Sequence, residues 1–196
     1  MSRGRLAPTT TSFALLGLLA LRPWTTYELA AQMDRGLGRF WPRARSNVFA
    51  EPKRLVALGL AKAAKERTGR RTATVYSITP KGRRLLSEWI GQPGEPPILE
   101  WEQMVKVFFA DAGTRDDLLR TLRDVAAWAE QQRSQHRARA QSYLNGEGPF
   151  PERMPIHALV GGFLAEFAAV AGDWAARSIE TVEAWPDDIA AAPVPI

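Results

Sequence analysis

Two short extended runs joined by a basic turn constrain this chain more than any other feature. Residues 61–67 and 72–79 read as strands, the second rich in β-formers (Thr72, Thr74, Val75, Tyr76, Ile78), with Thr68-Gly69-Arg70-Arg71 turning between them. A lone hairpin of this size is marginal in water, so other elements must cover it. The preceding sequence supplies three helices. Thr10-Thr11-Ser12 offer caps for the first, and Pro23 stops it. Thr25 or Thr26 caps the second, with Tyr27, Leu29, Ala30 and Met33 as its apolar stripe and Gly36-Leu37-Gly38 near its end. Ser46 begins the third, which carries Val48, Phe49, Leu55, Val56 and Leu58, and Gly59 follows as a C′ residue. Thr79-Pro80 opens a fourth over residues 81–90, with Pro at its entry. Helix, helix, helix, strand, basic turn, strand, helix is the order of a winged helix-turn-helix.

Charge divides the chain at the same place as this pattern. Residues 1–90 hold 17 Lys+Arg and 5 Asp+Glu, a balance of +12, whereas residues 91–196 hold 9 and 16, a balance of −7. The overall +5 describes neither part. Such asymmetry points to one half that meets a polyanion, either nucleic acid or an anionic membrane surface. Gly91-Gln92-Pro93-Gly94-Glu95-Pro96-Pro97 is the clearest linker. The chain has no Cys, which excludes disulfides, thiolate catalysis and Cys-ligated metal centres. Residues 13–21 are apolar but too short to span a bilayer, and Arg22-Pro23-Trp24 stands where a signal peptide would place small residues. The expectation is a buried helix, no targeting segment, no membrane partner and a cytoplasmic location.

The second half reads as helical. Residues 98–110 are strongly apolar, Thr114-Arg115-Asp116-Asp117 starts a long helix reaching Leu144, and its sequence turns polar beyond Ala129, so its far end is expected to project. Residues 146–155 read as a loop. A last helix over 156–185 carries Ile156, Leu159, Val160, Phe163, Leu164, Phe167, Val170, Ala171 and Trp174 at a three-four spacing, a seam that needs a partner. The expected fold class is therefore mostly α, a winged helix-turn-helix followed by an all-α dimerisation domain. Its expected parts are a DNA-binding domain over 1–90, a linker over 91–97, a helical dimerisation and effector domain over 98–185, and a disordered tail over 186–196.

The third helix begins Arg45-Ser46-Asn47 and later shows Lys53-Arg54. In a helix-turn-helix these N-terminal residues meet base edges; Asn suits adenine, and Ser suits phosphate. Ser46 as a simple cap and Asn47 as a solvated neighbour is the bland alternative. Lys65, Arg67, Arg70 and Arg71 on the hairpin favour a phosphate grip, and Arg3 with Arg5 form a candidate arm. Aromatic residues of the second half (Trp101, Phe108, Phe109, Trp128, Phe163, Phe167, Trp174) are either pocket walls or core and seam. His136 and His157 stand apart without further ligands, the Gly36 and Gly38 pair follows no strand, and no nucleophile–base constellation occurs. Neither an enzyme nor a metal or cofactor site is expected.

The sequence resembles the PadR-like transcriptional regulators. The likeness lies in Phe13-Ala14-Leu15-Leu16-Gly17-Leu18-Leu19, Thr26-Tyr27-Glu28-Leu29, Lys53-Arg54-Leu55 with Gly59-Leu60, and Tyr76-Ser77-Ile78-Thr79-Pro80-Lys81-Gly82-Arg83. Val107-Phe108-Phe109-Ala110 and Gly172-Asp173-Trp174 extend it into the second half. The resemblance implies a homodimeric repressor that binds double-stranded DNA at an inverted repeat and is released by a small aromatic effector. It places DNA contacts on Ser46, Asn47, Phe49, Lys53, Arg70 and Arg71, beside which Tyr27, Arg45 and Arg54 stand as further candidates. Dimerisation would fall on Leu159, Phe163, Phe167, Val170 and Trp174, and an effector pocket on Trp101, Phe108, Trp128, Phe163 and Trp174. Phe49 stands where the family usually has Tyr, and Pro52 predicts a kink or a shortened segment in the third helix, with Lys53 redirected. Two other readings remain open: a winged helix that binds protein, and an architectural DNA binder without an effector.

Overall fold

The structure, a computed structural model, describes residues 7–42, 45–68 and 71–193. The chain divides into two compact units, Met1–Pro96 and Pro97–Ile196. The first contains α1 (Thr10–Leu21), β1 (Trp24–Thr25), α2 (Thr26–Gln32), α3 (Arg45–Ala57), β2 (Ala61–Thr68), β3 (Arg71–Ile78) and α4 (Pro80–Ile90). A π-helical turn, Met33–Leu37, extends α2 toward the glycines expected to end it. The sequence reading missed β1, whose two residues are too few to carry an alternation. It pairs antiparallel with β3, Trp24 opposite Tyr76, and makes the hairpin a three-stranded sheet of order β1-β3-β2. Residues 69–70, at the tip of the wing, lie outside the described residues.

Leu15, Leu16 and Leu19 of α1, Leu29 of α2, Leu55 of α3 and Trp24 form the fully buried centre of this unit. The Trp24 indole N–H donates to the Leu18 carbonyl at 2.7 Å, so a large apolar ring is buried without leaving its polar atom unsatisfied. Reciprocal side-chain and backbone bonds close a capping box at Thr9 and Ser12 for α1 and another at Thr25 and Glu28 for α2. The Thr25 backbone N–H is the main reason the Glu28 carboxyl sits below its ordinary pKa.

Helix α3 ends in a Schellman motif. Gly59 adopts φ +69°, its N–H donates to the Val56 carbonyl at 2.9 Å, and the Leu60 N–H donates to Leu55, also at 2.9 Å. The chain then enters β2 close to the start of α4. The Thr79 hydroxyl caps α4 through the Gly82 N–H at 3.0 Å and donates to the Gly59 carbonyl at 2.8 Å. Gly82 is buried, and a Cβ there would lie 2.2 Å from the Leu60 carbonyl oxygen and 2.9 Å from Ile78 Cγ1. The Thr79-Pro80-Lys81-Gly82 run is thus a close-approach device that docks α4 onto the turn after α3.

Pro52 does not shorten α3, which runs unbroken from Arg45 to Ala57. Pro52 is fully buried on the inward face, with Val48, Glu51 and Leu55. Its missing N–H leaves one bond unmade, but the ring adds apolar burial where the helix meets the core. Beside it, Glu51 is 8% exposed and accepts from the hydroxyl of Ser12, which is fully buried in α1. Arg54 completes the cluster, 3.0 Å from Glu51 Oε1 and 3.3 Å from Ser12 Oγ, and also donates to the Ala7 carbonyl.

The second unit contains α5 (Glu102–Phe108), α6 (Arg115–Leu144) and α7 (Met154–Glu183), with 3-10 turns at Ala110–Ala112, Pro151–Arg153 and Ile189–Ala191. Helix α5 is shorter than the apolar run 98–110 suggested. Trp101 remains extended and packs among aromatic rings, and Ile98 and Leu99 precede the helix as exposed chain. Helices α6 and α7, of 30 residues each, form a long antiparallel pair. Leu118, Leu119 and Leu122 meet Val182, while Val125 meets Ala171 and Ala175. Gly172 lets the helices approach, since its Cβ would lie 3.1 Å from that of Ala129. The polar end of α6 is therefore not alone: His136 packs over Gly161, and the Tyr143 hydroxyl lies 2.5 Å from His157 Nδ1. The 186–196 stretch, expected to be disordered, includes the 3-10 turn at Ile189–Ala191, capped by Asp188. By length and composition alone, Pro151–Glu183 is apolar enough to cross a membrane, with a mean hydropathy of 1.5 over its best window. One side of that segment packs on α6, and 17% of its most apolar window is buried.

Three outcomes follow. Gly82→Ala should lower stability by about 2 kcal/mol, because the obstructing atom is backbone that cannot rotate away; chemical denaturation measures it. Glu51→Ala should cost a similar amount, about 2 kcal/mol, by leaving the Arg54 guanidinium and the Ser12 hydroxyl without their shared acceptor. Asp117 caps α6 with Thr114, and the Thr114 hydroxyl, then Arg120, hold its carboxyl down to about 2. Its contribution is present above the ordinary carboxylate range and is lost as pH falls toward 2. Carboxyl NMR titration should find that low midpoint, and Thr114→Val should raise it.

Candidate nucleic-acid interface

The faces of α3 are set by its inward residues. Val48, Glu51, Pro52 and Leu55 follow an i, i+3, i+4, i+7 spacing into the core. The opposite face must then carry Ser46, Asn47, Ala50, Lys53 and Ala57, and all five are exposed. Phe49 lies on one flank, half-buried, and meets Tyr27 of α2 edge to face with ring centroids 5.2 Å apart. Tyr27 is 78% exposed, far more than a residue of an apolar stripe should be, so its place is on the surface beside α3. On the other flank, Asn47 and Ala50 rim a concavity shared with Thr9, Thr10, Thr11, Trp41 and Glu51.

The candidate contact residues thus separate into groups. Tyr27, Ser46, Asn47, Phe49 and Lys53 share one surface. Arg54 does not join them: its guanidinium is committed to Glu51, Ser12 and the Ala7 carbonyl, a consequence of the one-residue step from Lys53 that turns it toward α1. Spacing alone could have indicated this, since Arg54 follows Glu51 at the i+3 separation of a helical ion pair. Ala50 was missed as a surface residue because its small apolar side chain gives no chemical signal. Lys62, Lys65 and Arg67 are exposed on β2, where Lys65 stands opposite Thr74 and Arg67 opposite Thr72. Arg3, Arg5 and Arg70 lie outside the described residues, as do the side chains of Arg45 and Arg71.

In the second unit the α7 seam proves to be two seams. Leu164, Ala168, Ala171, Ala175 and Val182 are buried, chiefly against α6. Leu159, Phe163 and Val170 are 74%, 64% and 68% exposed, an apolar face without cover in the single chain. Phe167 and Trp174 are half-buried and face inward, Trp174 touching both core clusters.

The five aromatic residues expected to line a pocket do not converge. Trp101 and Trp128 do meet, at 5.5 Å, with Phe167 as third member at 6.2 and 6.0 Å. Phe108 instead stacks edge-on with Phe109 and is 80% exposed, Phe163 points outward, and Trp174 belongs to the core. At the α6–α7 turn, the Tyr143 hydroxyl also reaches the Pro149 carbonyl at 3.1 Å. Burial, then the nearby Arg153, lowers the His157 pKa, which favours the neutral ring that Tyr143 meets. Among the described residues, no group of three or more His, Asp or Glu side chains is placed to hold a metal ion.

Residues 101–183 match the family described as "Virulence activator alpha C-term". The chain is 27% identical over 108 residues to the negative transcriptional regulator PadR of Bacillus subtilis, a match covering 54% of this chain and 59% of that protein. It therefore aligns with rather less than two thirds of that relative's length. The structure resembles that of B. subtilis PadR in complex with operator DNA, with a TM-score of 0.78 and 20% identity over 89% of this chain and 99% of the other. It resembles the PadR complex with p-coumaric acid with a TM-score of 0.71 and 21% identity, over 89% and 99% of the two chains. Those likenesses span the winged helix and the helical unit alike, and they show that the chain shares the fold of these PadR structures.

Proposed function

We propose that this protein is a sequence-specific DNA-binding regulator, a homodimeric repressor that acts in the cytoplasm and is released from an inverted repeat by a small aromatic effector. The observation that carries the reading is the outward face of α3. Ser46 and Asn47 at the start of α3 and Lys53 two turns on are exposed on one side of a helix whose other side is locked into the core, within a part of the chain that carries a balance of +12. A polyanion is the partner such a surface suits. Asn47 offers the paired donor and acceptor that adenine requires, Ser46 a hydroxyl for phosphate, and Lys53 with the wing cations the affinity. The DNA-bound relative supports this reading of the fold.

Dimerisation falls on the second unit. The exposed Leu159, Phe163 and Val170 of α7 form the kind of apolar patch that a monomer rarely leaves in water. Two winged helices then meet half-sites about one helical turn (~34 Å) apart. The Trp101–Trp128–Phe167 cluster is the place for an aromatic effector, which acts only if it binds one conformational state better than the other. That PadR has been solved with p-coumaric acid supports this choice of ligand class.

The test is selection of bound sequences from random duplex DNA, repeated with p-coumaric acid present. A palindromic consensus, lost on adding the ligand, is expected. Lys53→Ala should weaken binding alike for all duplexes and reduce the salt slope by about 1, whereas Asn47→Ala should relax preference at one position of each half-site. Two variants that behave identically across a duplex panel would overturn those roles. Affinity that does not fall with salt would favour the protein-binding alternative.

A further inference from the structure

We propose that Ala50 is a sequence-reading residue whose methyl group packs against the 5-methyl of a thymine in the operator. The proposal rests on the DNA-binding reading above and deepens it. Ala50 lies in the second turn of α3, at the centre of the outward face, one turn beyond Ser46 and one turn before Lys53. It is exposed and takes no part in the core, so alanine there serves the helix by its propensity and leaves its methyl free on the surface. Its neighbours set its surroundings. Asn47 shares with it the rim of the concavity formed by Thr9, Thr10, Thr11, Trp41 and Glu51. On the opposite flank stands the Phe49–Tyr27 pair, whose rings meet edge to face at 5.2 Å.

A side chain of one carbon at this point lets the helix backbone approach a groove floor that a longer chain would hold away. It also leaves only a methyl to meet whatever lies there. In the major groove, thymine alone presents an apolar group, its 5-methyl, and an alanine methyl is a fitting contact for it. Asn47, one turn earlier, fits the adenine N6 and N7 edge, so an adenine under Asn47 places A·T pairs beneath this part of α3. Polar groups on the same face, Ser46 and Lys53, serve phosphate or other edges without competing for the methyl. The Phe49 ring, edge-bonded to Tyr27 and half-buried, closes the apolar side of the contact and keeps water from one flank.

The experiment takes the full chain and the consensus duplex recovered from random DNA, resynthesised with deoxyuridine in place of thymidine at one position of each half-site at a time. Loss of one buried methyl contact should weaken wild-type binding about fourfold per half-site at a single position and leave the others unchanged. Ala50→Gly should bring that thymidine-to-deoxyuridine ratio to about one at the same position, and Asn47→Ala should leave the ratio standing. The ratio is read within each variant, so a general loss of helix stability in Ala50→Gly does not alter it. A wild-type ratio of one at every position overturns the assignment of Ala50 and leaves DNA binding intact. A ratio that survives in Ala50→Gly also overturns it. A chain that retains no duplex at low salt overturns both this contact and the DNA-binding reading.

Discussion

The clamp on the inner side of α3 is the constraint from which the rest of the first unit follows. Ser12 and Glu51 are buried polar groups, and each is tolerated because the other, with Arg54, completes its hydrogen bonding. The cluster ties the first helix to the third and fixes the rotation of α3 about its axis. Once Glu51, Pro52, Val48 and Leu55 point inward, helical geometry leaves Ser46, Asn47, Ala50 and Lys53 pointing outward. A rotation of α3 by one residue would bury Asn47 and expose Pro52. Both the proposed base readers and the loss of Arg54 from the contact surface are consequences of this one arrangement.

Pro52 shows how tertiary packing overrides local preference. In an isolated helix, an interior proline costs about 3 kcal/mol. Here its ring lies fully buried where the helix meets the core, and the far end of α3 is held by the Gly59 Schellman turn and the close approach of Gly82. Those two glycines serve the same joint from opposite sides. One permits the left-handed turn that ends α3, and the other lets α4 press against the carbonyl of Leu60. The wing hairpin leaves directly from this joint, so its position relative to α3 is decided there.

Helix α7 poses the reverse problem, since one sequence pattern serves two surfaces. Small residues (Ala168, Ala171, Gly172, Ala175) bring it close to α6, while larger ones (Leu159, Phe163, Val170) remain exposed. Small residues line the middle of the side toward α6, with the bulkier Leu164 and Val182 buried nearer its ends. The exposed set is the observation on which the proposed dimer stands, and Trp101 and Trp128, joined by Phe167, pack against the Val125–Ala171–Ala175 part of the α6–α7 core.

The element order of the winged helix was legible because each boundary has a local chemical cause: the Thr79 cap with Pro80, the Thr25–Glu28 box, and Gly59 after α3. The divided charge was legible for the same reason, being a property of composition alone. What the sequence could not reveal is which of several chemically equivalent residues faces where. Lys53 and Arg54 are both cations, yet one is exposed and the other is bound to Glu51 and Ser12. The apolar residues of α7 likewise look alike in one dimension and divide into buried and exposed sets only when α6 is beside them. The sequence by itself determined the elements, their caps and the sign of the charge on each half. Only the tertiary structure decided the direction of each side chain, because rotation of a helix about its axis is fixed by what it packs against.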